Sequence, residues 1–294
     1  MYDSAIMKLL AEQYKKENIK ISFNAGKAGR GGHCVIYCSS HNIWYPNAEK
    51  YFRESILNRD YYEWMKMSYI DSEKDIYLRD IYKSWYVSGV NAKLDSIDNL
   101  AEYLEKVVKE YKVITVGISA GGYLAVILGV LLNAERVYAF SAQFDLNGRE
   151  LEKNAILQKY KNDAKKEKYY DLVPFIKQST VPIYYIYPMM NELDAVQKKR
   201  VENCSSVRIL GLKSKKHGVV ILRSNLPDIL KMQVQDLDVI FGRFKDRQLT
   251  PIEFSIRFVG ALKTVGEIEF LTKKIFSKIK EFTLKTILAG GTNK

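Results

Sequence analysis

The chain is constrained most strongly by a Gly-x-Ser-x-Gly turn that joins an apolar run of strand length to a longer apolar run typical of a helix. Residues 113–118 form the first run, residues 120–132 form the second, and Ser119 lies between them. A serine at such a tight bend sits on a strained backbone, and its hydroxyl projects above the edge of the sheet. A Cβ at Gly117 or Gly121 would clash with neighbouring backbone. The stretch predicts a nucleophile elbow, with an ordinary strand–helix turn as the alternative.

Other apolar runs predict that strands and helices alternate along the chain. Strands are predicted at residues 19–23, 34–38, 136–140, 181–187 and 206–210, and helices at residues 4–16 and 95–110. This alternation is typical of an α/β fold in which helices flank a mostly parallel central sheet. Because the elbow belongs to one version of that fold, we expect an α/β-hydrolase-like sheet.

Two segments are predicted to lie outside the central α/β unit. The main domain is expected to span residues 1–235, with a charged, helix-prone stretch at 146–180 in the place of a lid insertion. Residues 236–294 are expected to form a helical C-terminal extension, basic and amphipathic along 266–288. Such a helix either packs onto the domain or lies on an anionic membrane surface, and its glutamates favour packing.

Composition narrows the function classes without choosing one. The 294 residues carry a formal net charge of +12, which favours an anionic partner. The basic residues are scattered and match no nucleic-acid-binding motif, so we expect no nucleic acid partner. The number of cysteines is odd, and Cys34 and Cys38 lie in or next to an apolar run, which predicts buried reduced thiols in a cytoplasmic protein. None of the three cysteines, Cys204 included, has ligand spacing with a histidine, so we expect no metal site. We also expect no signal peptide and no membrane-spanning segment.

The chain offers one histidine that suits Ser119 as a general base. A serine hydroxyl needs such a base near neutral pH, and a carboxylate usually orients it. On an α/β-hydrolase scaffold the chain order is serine, acid, histidine, and His217 is the only histidine after Ser119. We expect its Nε2 about 3 Å from Ser119 Oγ, or somewhat farther without a ligand. Asp194 is the preferred orienting acid, with Glu192 and Asp145 as alternatives.

Two places on the chain are expected to donate hydrogen bonds to the oxyanion of an acyl-transfer reaction. The backbone N–H of Ala120 begins the helix after Ser119 and points to where that oxyanion would form. A second N–H is expected from the loop after an early central strand, where Ser40 and His41 are the candidates. The polar side chains of this loop are equally consistent with a turn that satisfies its own hydrogen bonds.

The elbow and the next strand also carry a resemblance to a known family. Residues 116–123 (VGISAGGY) and 137–144 (VYAFSAQF) resemble bacterial capsular polysaccharide O-acetyltransferases of the α/β-hydrolase type, and the resemblance extends over residues 33–222. It implies acetyl transfer from acetyl-CoA to an anionic capsular or surface polysaccharide, with Ser119, His217 and Asp194 in the catalytic roles. Peripheral contact with the inner membrane or the capsule assembly machinery is a further expectation.

Three functions are consistent with these features. The first is acetyl transfer to a polysaccharide, and the second is an esterase that releases the same acyl-enzyme to water. The third is a non-catalytic accessory protein of polysaccharide biosynthesis. Acceptor choice depends on water exclusion and acceptor contacts, which the sequence does not reveal. Convergence of Ser119 with His217 would argue against the third function.

Overall fold

A mostly parallel β-sheet forms the centre of the computed structural model, which describes residues 4–24, 32–65, 67, 69–148, 152–270 and 272–273. Seven strands are found within these residues: β1 (Ile19–Phe23), β2 (His33–Cys38), β3 (Lys74–Leu78), β4 (Lys112–Ile118), β5 (Arg136–Phe140), β6 (Ile183–Pro188) and β7 (Val207–Leu212). Their spatial order is β1-β3-β2-β4-β5-β6-β7. The edge strand β1 pairs antiparallel with β3, and every other pair is parallel. The predicted α/β-hydrolase-like fold is thereby confirmed.

α-Helices precede, connect and follow the strands. They are α1 (Ser4–Tyr14), α2 (Glu49–Phe52), α3 (Ile97–Val108), α4 (Ala120–Leu131), α5 (Ala155–Lys159), α6 (Ala164–Glu167), α7 (Val173–Lys177), α8 (Glu192–Val201), α9 (Leu226–Lys231), α10 (Val234–Phe244) and α11 (Pro251–Val259). Helix α3 begins where a capping serine predicts it, because Ser96 Oγ accepts a hydrogen bond from the N–H of Asn99 at 3.2 Å. This helix leads directly into β4 and the elbow.

Alternate residues of the central strands pack on opposite faces of the sheet. Cys34 and Ile36 of β2 join α3 and α4 in one core, whereas Val35 and Tyr37 join α9, α10 and α11 in the other. A parallel sheet covered by helices on both faces needs apolar side chains on both. This is why β2 and β4 are recognisable as continuous apolar runs. The thiols of all three cysteines are buried, as expected.

Strand β3 was not expected from the sequence. It is buried along its whole length although it begins with Lys74 and Asp75. The Lys74 ammonium donates to the carbonyl oxygen of Val107 at 2.8 Å, and Asp75 accepts from the hydroxyl of Ser72 at 2.6 Å. Both charged groups have hydrogen-bond partners inside the protein. The strand can therefore hold them, although its sequence shows no alternation of polar and apolar residues.

The described part of the C-terminal extension belongs to the core. Leu237 and Phe241 of α10 and Phe254 of α11 are buried in the same cluster as Val116 of the elbow strand. Helices α10 and α11, in the described part of the extension, therefore pack on the sheet. The amphipathic helix predicted at 266–288 lies mostly outside the described residues. None of the helices in the described ranges is both long and apolar enough to cross a membrane.

The stretch at 146–180 is a series of short helices, α5 to α7. Lys168 Nζ bonds a carboxylate oxygen of Asp98 in α3 at 2.9 Å, and Asn154 Nδ2 donates to the carbonyl oxygen of Lys83 at 3.0 Å. These contacts attach the stretch to α3 and to the loop after β3. The helical tendency is confirmed, and a function as a lid stays a prediction.

Candidate active site

Ser119 occupies the bend between β4 and α4 with a left-handed backbone, φ 54° and ψ −121°. Such a conformation is uncommon for any residue with a side chain. A Cβ on Gly117 would lie 2.1 Å from the carbonyl oxygen of Gly121, and one on Gly121 would lie 2.2 Å from that of Cys38. Both glycines are needed because the backbones of the strand, the helix and the neighbouring β2 meet here. The steric prediction for the elbow is confirmed.

His217 and Asp194 form a hydrogen-bonded pair beside the elbow. The distance from His217 Nδ1 to Asp194 Oδ2 is 2.8 Å, with the carboxylate 1% exposed and the imidazole 38% exposed. A carboxylate on Nδ1 fixes the tautomer that leaves Nε2 free to accept a proton. Asp194 is held in the first turn of α8, where Asn191 Oδ1 accepts from its backbone N–H at 3.2 Å.

The other two candidate acids do not contact His217. Glu192 is exposed one position into α8. Asp145 forms an ion pair with Arg200 at 3.2 Å, and its other oxygen accepts from the backbone N–H of Asn147 at 2.9 Å. The structure therefore brings Asp194, and neither of the alternatives, to the imidazole.

The loop that carries His217 is tied down on both sides. Asn191 Nδ2 donates to the carbonyl oxygen of Lys215 at 3.2 Å. On the other side, the hydroxyl of Ser141 donates to the carbonyl oxygen of Gly218 at 2.8 Å and accepts from its N–H at 3.0 Å. These bonds link the ends of β5 and β6 to the histidine loop, so the imidazole is positioned by parallel strands of the sheet.

Ser119, Asp194 and His217 line one cavity of about 380 Å³. Trp85, Gln143 and Arg200 also line it. Larger cavities exist, including one of about 640 Å³ beside α3, but that one holds neither the serine nor the histidine. Within the described ranges, no three His, Cys, Asp or Glu side chains gather in a way that could hold a metal ion.

The expected short hydrogen bond between Ser119 and His217 is not formed among the described residues. Ser119 Oγ instead lies 3.5 Å from both the Oε1 and the Nε2 atoms of Gln143. In enzymes without ligand, catalytic hydrogen bonds are often long and tighten when substrate binds. The two residues share the cavity without a direct bond, and the expected distance of about 3 Å, or somewhat more without a ligand, stays a prediction.

The predicted oxyanion donors differ in their availability. Ala120 is the first residue of α4, and the first N–H groups of a helix have no acceptor within the helix. The N–H of Ser40 donates to Glu63 Oε2 at 2.6 Å, and the Ser40 hydroxyl bonds the other oxygen of that carboxyl at 3.2 Å. Burial raises the pKa of Glu63, although the bonds from Ser40 oppose that rise. The Ser40 amide is thus already engaged.

His41, the other candidate in that loop, lies against the cavity wall. Its ring packs edge-on to Trp85 with centroids 4.4 Å apart. Burial, and secondly the charge of Lys83, lower the pKa of His41 to about 3, so the ring is neutral at physiological pH. The side chain of His41 contributes packing beneath Trp85.

Gln143 and Ser141 belong to the site but were not assigned a role from the sequence. Ser141 and Gln143 follow β5 by one and three residues. The carboxyl end of a parallel strand is where ligands bind in such sheets, so their position was a usable signal. Trp85, which also lines the cavity, belongs to an aromatic-rich stretch at 68–94 whose side chains were equally consistent with an acceptor groove and with core packing.

No protein-family model and no curated protein matches the chain. Solved structures with similar folds include 2,6-dihydroxy-pseudo-oxynicotine hydrolase, with 11% identity over 79% of this chain and 66% of that chain and a TM-score of 0.43. MGS-MChE2, an alpha/beta hydrolase enzyme from a Moroccan lagoon metagenome, has 12% identity over 79% of this chain and 97% of that one, with a TM-score of 0.42. An S-formylglutathione hydrolase from Agrobacterium tumefaciens has 11% identity over 67% and 83%, with a TM-score of 0.44.

These likenesses are too distant to carry an argument about activity. The class is defined by the chain's own strand order and by its elbow: an α/β-hydrolase-like protein.

Proposed function

We propose that the protein is a serine-dependent acyltransferase that moves an acetyl group from acetyl-CoA to a hydroxyl of a bacterial capsular or surface polysaccharide. One observation carries the chemistry: the His217 imidazole, bonded through Nδ1 to Asp194 at 2.8 Å, shares a cavity with the strained Ser119. An elbow serine, a histidine and a buried carboxylate together are the parts that nucleophilic acyl transfer requires.

The first half-reaction acetylates Ser119. His217 Nε2 takes the hydroxyl proton as Ser119 Oγ attacks the thioester carbonyl, and the N–H of Ala120 stabilises the oxyanion. The intermediate collapses by breaking the C–S bond, and the imidazolium gives its proton to the departing CoA thiolate. Asp194 stabilises the imidazolium throughout without taking the proton.

The second half-reaction passes the acetyl group on. A sugar hydroxyl loses its proton to His217 Nε2 and attacks the acyl-enzyme carbonyl. The tetrahedral intermediate then releases Ser119 Oγ, which regains the proton from the imidazolium. The products are an acetylated sugar and the free enzyme.

The charges around the cavity support an anionic donor and acceptor. Lys213, Lys215 and Lys216 are exposed in the loop that carries His217. Arg200, by contrast, is engaged with Asp145 at 3.2 Å and with Asp171 at 2.7 Å. We therefore assign the attraction of CoA phosphates and acidic sugars to the lysines. The proposal implies a cytoplasmic location, with contact at the inner membrane or the capsule assembly machinery.

Hydrolysis by an esterase of the same fold is the second candidate. Its support is the 38% exposure of the His217 side chain, because water can reach an exposed base as easily as a sugar can. Both candidates share Ser119, His217 and Asp194, and they differ in the acceptor alone.

The test is CoA release from acetyl-CoA with and without acidic capsule oligosaccharides. For transfer, we expect release that depends on the oligosaccharide and produces an acetylated sugar detectable by mass spectrometry. Acetyl ester turnover without sugar would favour the esterase. Ser119→Ala should abolish either activity, whereas Ser205→Ala, on an exposed serine outside the cavity, should not change it. Activity that survives Ser119→Ala would overturn both candidates.

A further inference from the structure

The side chain of Gln143 is within hydrogen-bonding distance of the Ser119 hydroxyl. It is 9% exposed, and both atoms of its amide lie 3.5 Å from Ser119 Oγ. Trp85 Nε1 donates to Gln143 Oε1 at 3.2 Å. An indole nitrogen can only donate, so this bond fixes which end of the amide is oxygen. The NH₂ group is consequently left for the cavity.

The backbone that carries Gln143 is clamped by a second glutamine. Gln197 Oε1 accepts from the N–H groups of Phe144 at 2.7 Å and Asp145 at 3.0 Å, and its Nε2 donates to the carbonyl oxygen of Asp145 at 3.0 Å. Gln197 lies one turn after Asp194 on α8. The helix that orients the histidine therefore also fixes the segment that presents Gln143.

Trp85 is held by an equally specific loop. Its backbone and that of Tyr86 are left-handed, with φ 54° and 59°. Asp80 Oδ2 accepts from the N–H of Ser84 at 2.5 Å and from that of Tyr86 at 2.9 Å, on either side of Trp85. Strained backbone of this kind persists only where the surroundings enforce it. The indole N–H is thus aimed at Gln143 by a buried network.

The oxyanion needs more than the single N–H of Ala120. Tetrahedral intermediates of acyl transfer are usually stabilised by two donors, and one donor accounts for about 10²–10³-fold in kcat. The Ser40 amide, one of the two candidates expected for the second donor, already has the Glu63 carboxyl as its acceptor at 2.6 Å, whereas the backbone N–H of His41 stays a candidate. The amide of Gln143, which lies 3.5 Å from Ser119 Oγ, is a further candidate.

We propose that the Gln143 side-chain amide donates the second oxyanion hydrogen bond, beside the N–H of Ala120, and that Trp85 is the residue that positions this amide. The inference depends on the proposed serine chemistry and deepens it. The oxyanion is bonded to the same carbon as Ser119 Oγ, and the Gln143 amide lies 3.5 Å from that Oγ, so a small movement of the side chain brings its NH₂ group within reach of the oxyanion. The usual distance from such a donor to the oxyanion is about 2.7–3.1 Å.

The test measures how fast a fluorophosphonate labels Ser119, since its phosphonyl oxygen must occupy the same pocket as an oxyanion. Gln143→Ala and the nearly isosteric Gln143→Met should lower the labelling rate by about 10²–10³-fold. The kcat for acetyl-CoA should fall equally, with KM little changed. Gln158→Ala, which removes a surface amide that donates to Glu152, is the matched control and should label normally.

Trp85→Phe tests the positioning role. We expect a smaller loss of kcat in the wild-type background and no further loss in the Gln143→Met background, because the indole acts only through the amide. Additive losses would overturn that role.

The outcomes separate the inference from the proposed function. Labelling of Gln143→Met at the wild-type rate, with wild-type protein labelled at Ser119, overturns the inference and leaves the serine chemistry standing. A higher KM for the sugar acceptor with unchanged labelling would make Gln143 an acceptor-binding residue and also overturns it. Wild-type protein that takes no label at Ser119 overturns both.

Discussion

One hydroxyl, that of Ser141, satisfies both backbone polar groups of Gly218. It donates to the carbonyl oxygen at 2.8 Å and accepts from the N–H at 3.0 Å, although the residues are 77 positions apart. Ser141 is fully buried with φ 45°, directly after β5. The residue before Gly218 is His217. These two hydrogen bonds therefore hold the loop that carries His217 in a fixed position relative to the end of β5.

Ser141→Ala should loosen the histidine loop. Two half-buried backbone groups of Gly218 lose their partner, which should cost about 1 kcal/mol of unfolding free energy. Misplacement of the imidazole should lower kcat by about 10- to 100-fold with KM for acetyl-CoA unchanged. Ser206→Ala is the control, because that buried serine makes only a 3.4 Å bond to Ile176, away from the cavity. Lost stability with unchanged kcat would limit Ser141 to a structural role.

Asp194→Asn should disable the base while leaving the cavity in place. An amide in place of the carboxylate favours the wrong imidazole tautomer and cannot stabilise the imidazolium, so kcat should fall by about 10⁴-fold. Glu192→Gln removes a neighbouring exposed carboxylate that does not contact His217 and should leave kcat unchanged. Steady-state release of CoA measures both, and equal losses in the two variants would contradict the pairing at 2.8 Å.

Alanine should have opposite effects at two glycines. At Gly121 a Cβ meets the carbonyl oxygen of Cys38 at 2.2 Å, and backbone cannot move aside as a side chain can. We expect Gly121→Ala to destabilise by about 3 kcal/mol or more. Gly242 lies inside α10 with nothing within 4 Å, so Gly242→Ala should stabilise by about 0.5–1 kcal/mol. Thermal unfolding compares the two, and a stable Gly121→Ala variant would contradict the close approach at the elbow.

The sheet could be predicted where burial makes strands uniformly apolar. Strands β2, β4, β5 and β6 pass between two covered faces, and their sequences show it. Strand β3 could not be predicted in this way, because Lys74 and Asp75 are buried against partners that the sequence does not place nearby. The prediction from local pattern fails where tertiary hydrogen bonds replace apolar burial.

The residues of the site, too, could be predicted only where the pattern that marks them is local in sequence or follows from the chain order of the fold. The elbow is local in sequence, and the order of serine, acid and histidine on the scaffold led to His217 and Asp194. The bonds from Ser40 to Glu63 and from Trp85 to Gln143 join segments 23 and 58 residues apart. Such pairs arise when loops after different strands meet at one edge of the sheet. No periodicity or spacing encodes them, so the engagement of the Ser40 amide was not predictable.

Asp80 gives the Trp85 loop a pH dependence whose sign follows from burial. Desolvation is the main cause that raises the pKa of Asp80 to about 6, against the bonds from Tyr86 and Ser84 that lower it. In the unfolded chain an aspartate titrates near 3.9, so between about pH 4 and 6 the folded state holds more protons. The contribution of Asp80 to the unfolding free energy therefore decreases as pH rises through this window.

Asp80→Asn should remove that dependence, because the amide oxygen can still accept from Ser84 and Tyr86 but cannot ionise. We expect the unfolding free energy of wild type minus that of the variant to fall by about 2–3 kcal/mol between pH 4 and pH 7. His41, whose lowered pKa acts in the opposite direction, is present in both proteins and cancels in the difference. Urea unfolding at several pH values measures it. A difference that does not change with pH would mean that Asp80 stays ionised beneath Trp85, and the loop would then owe its shape to a buried charge.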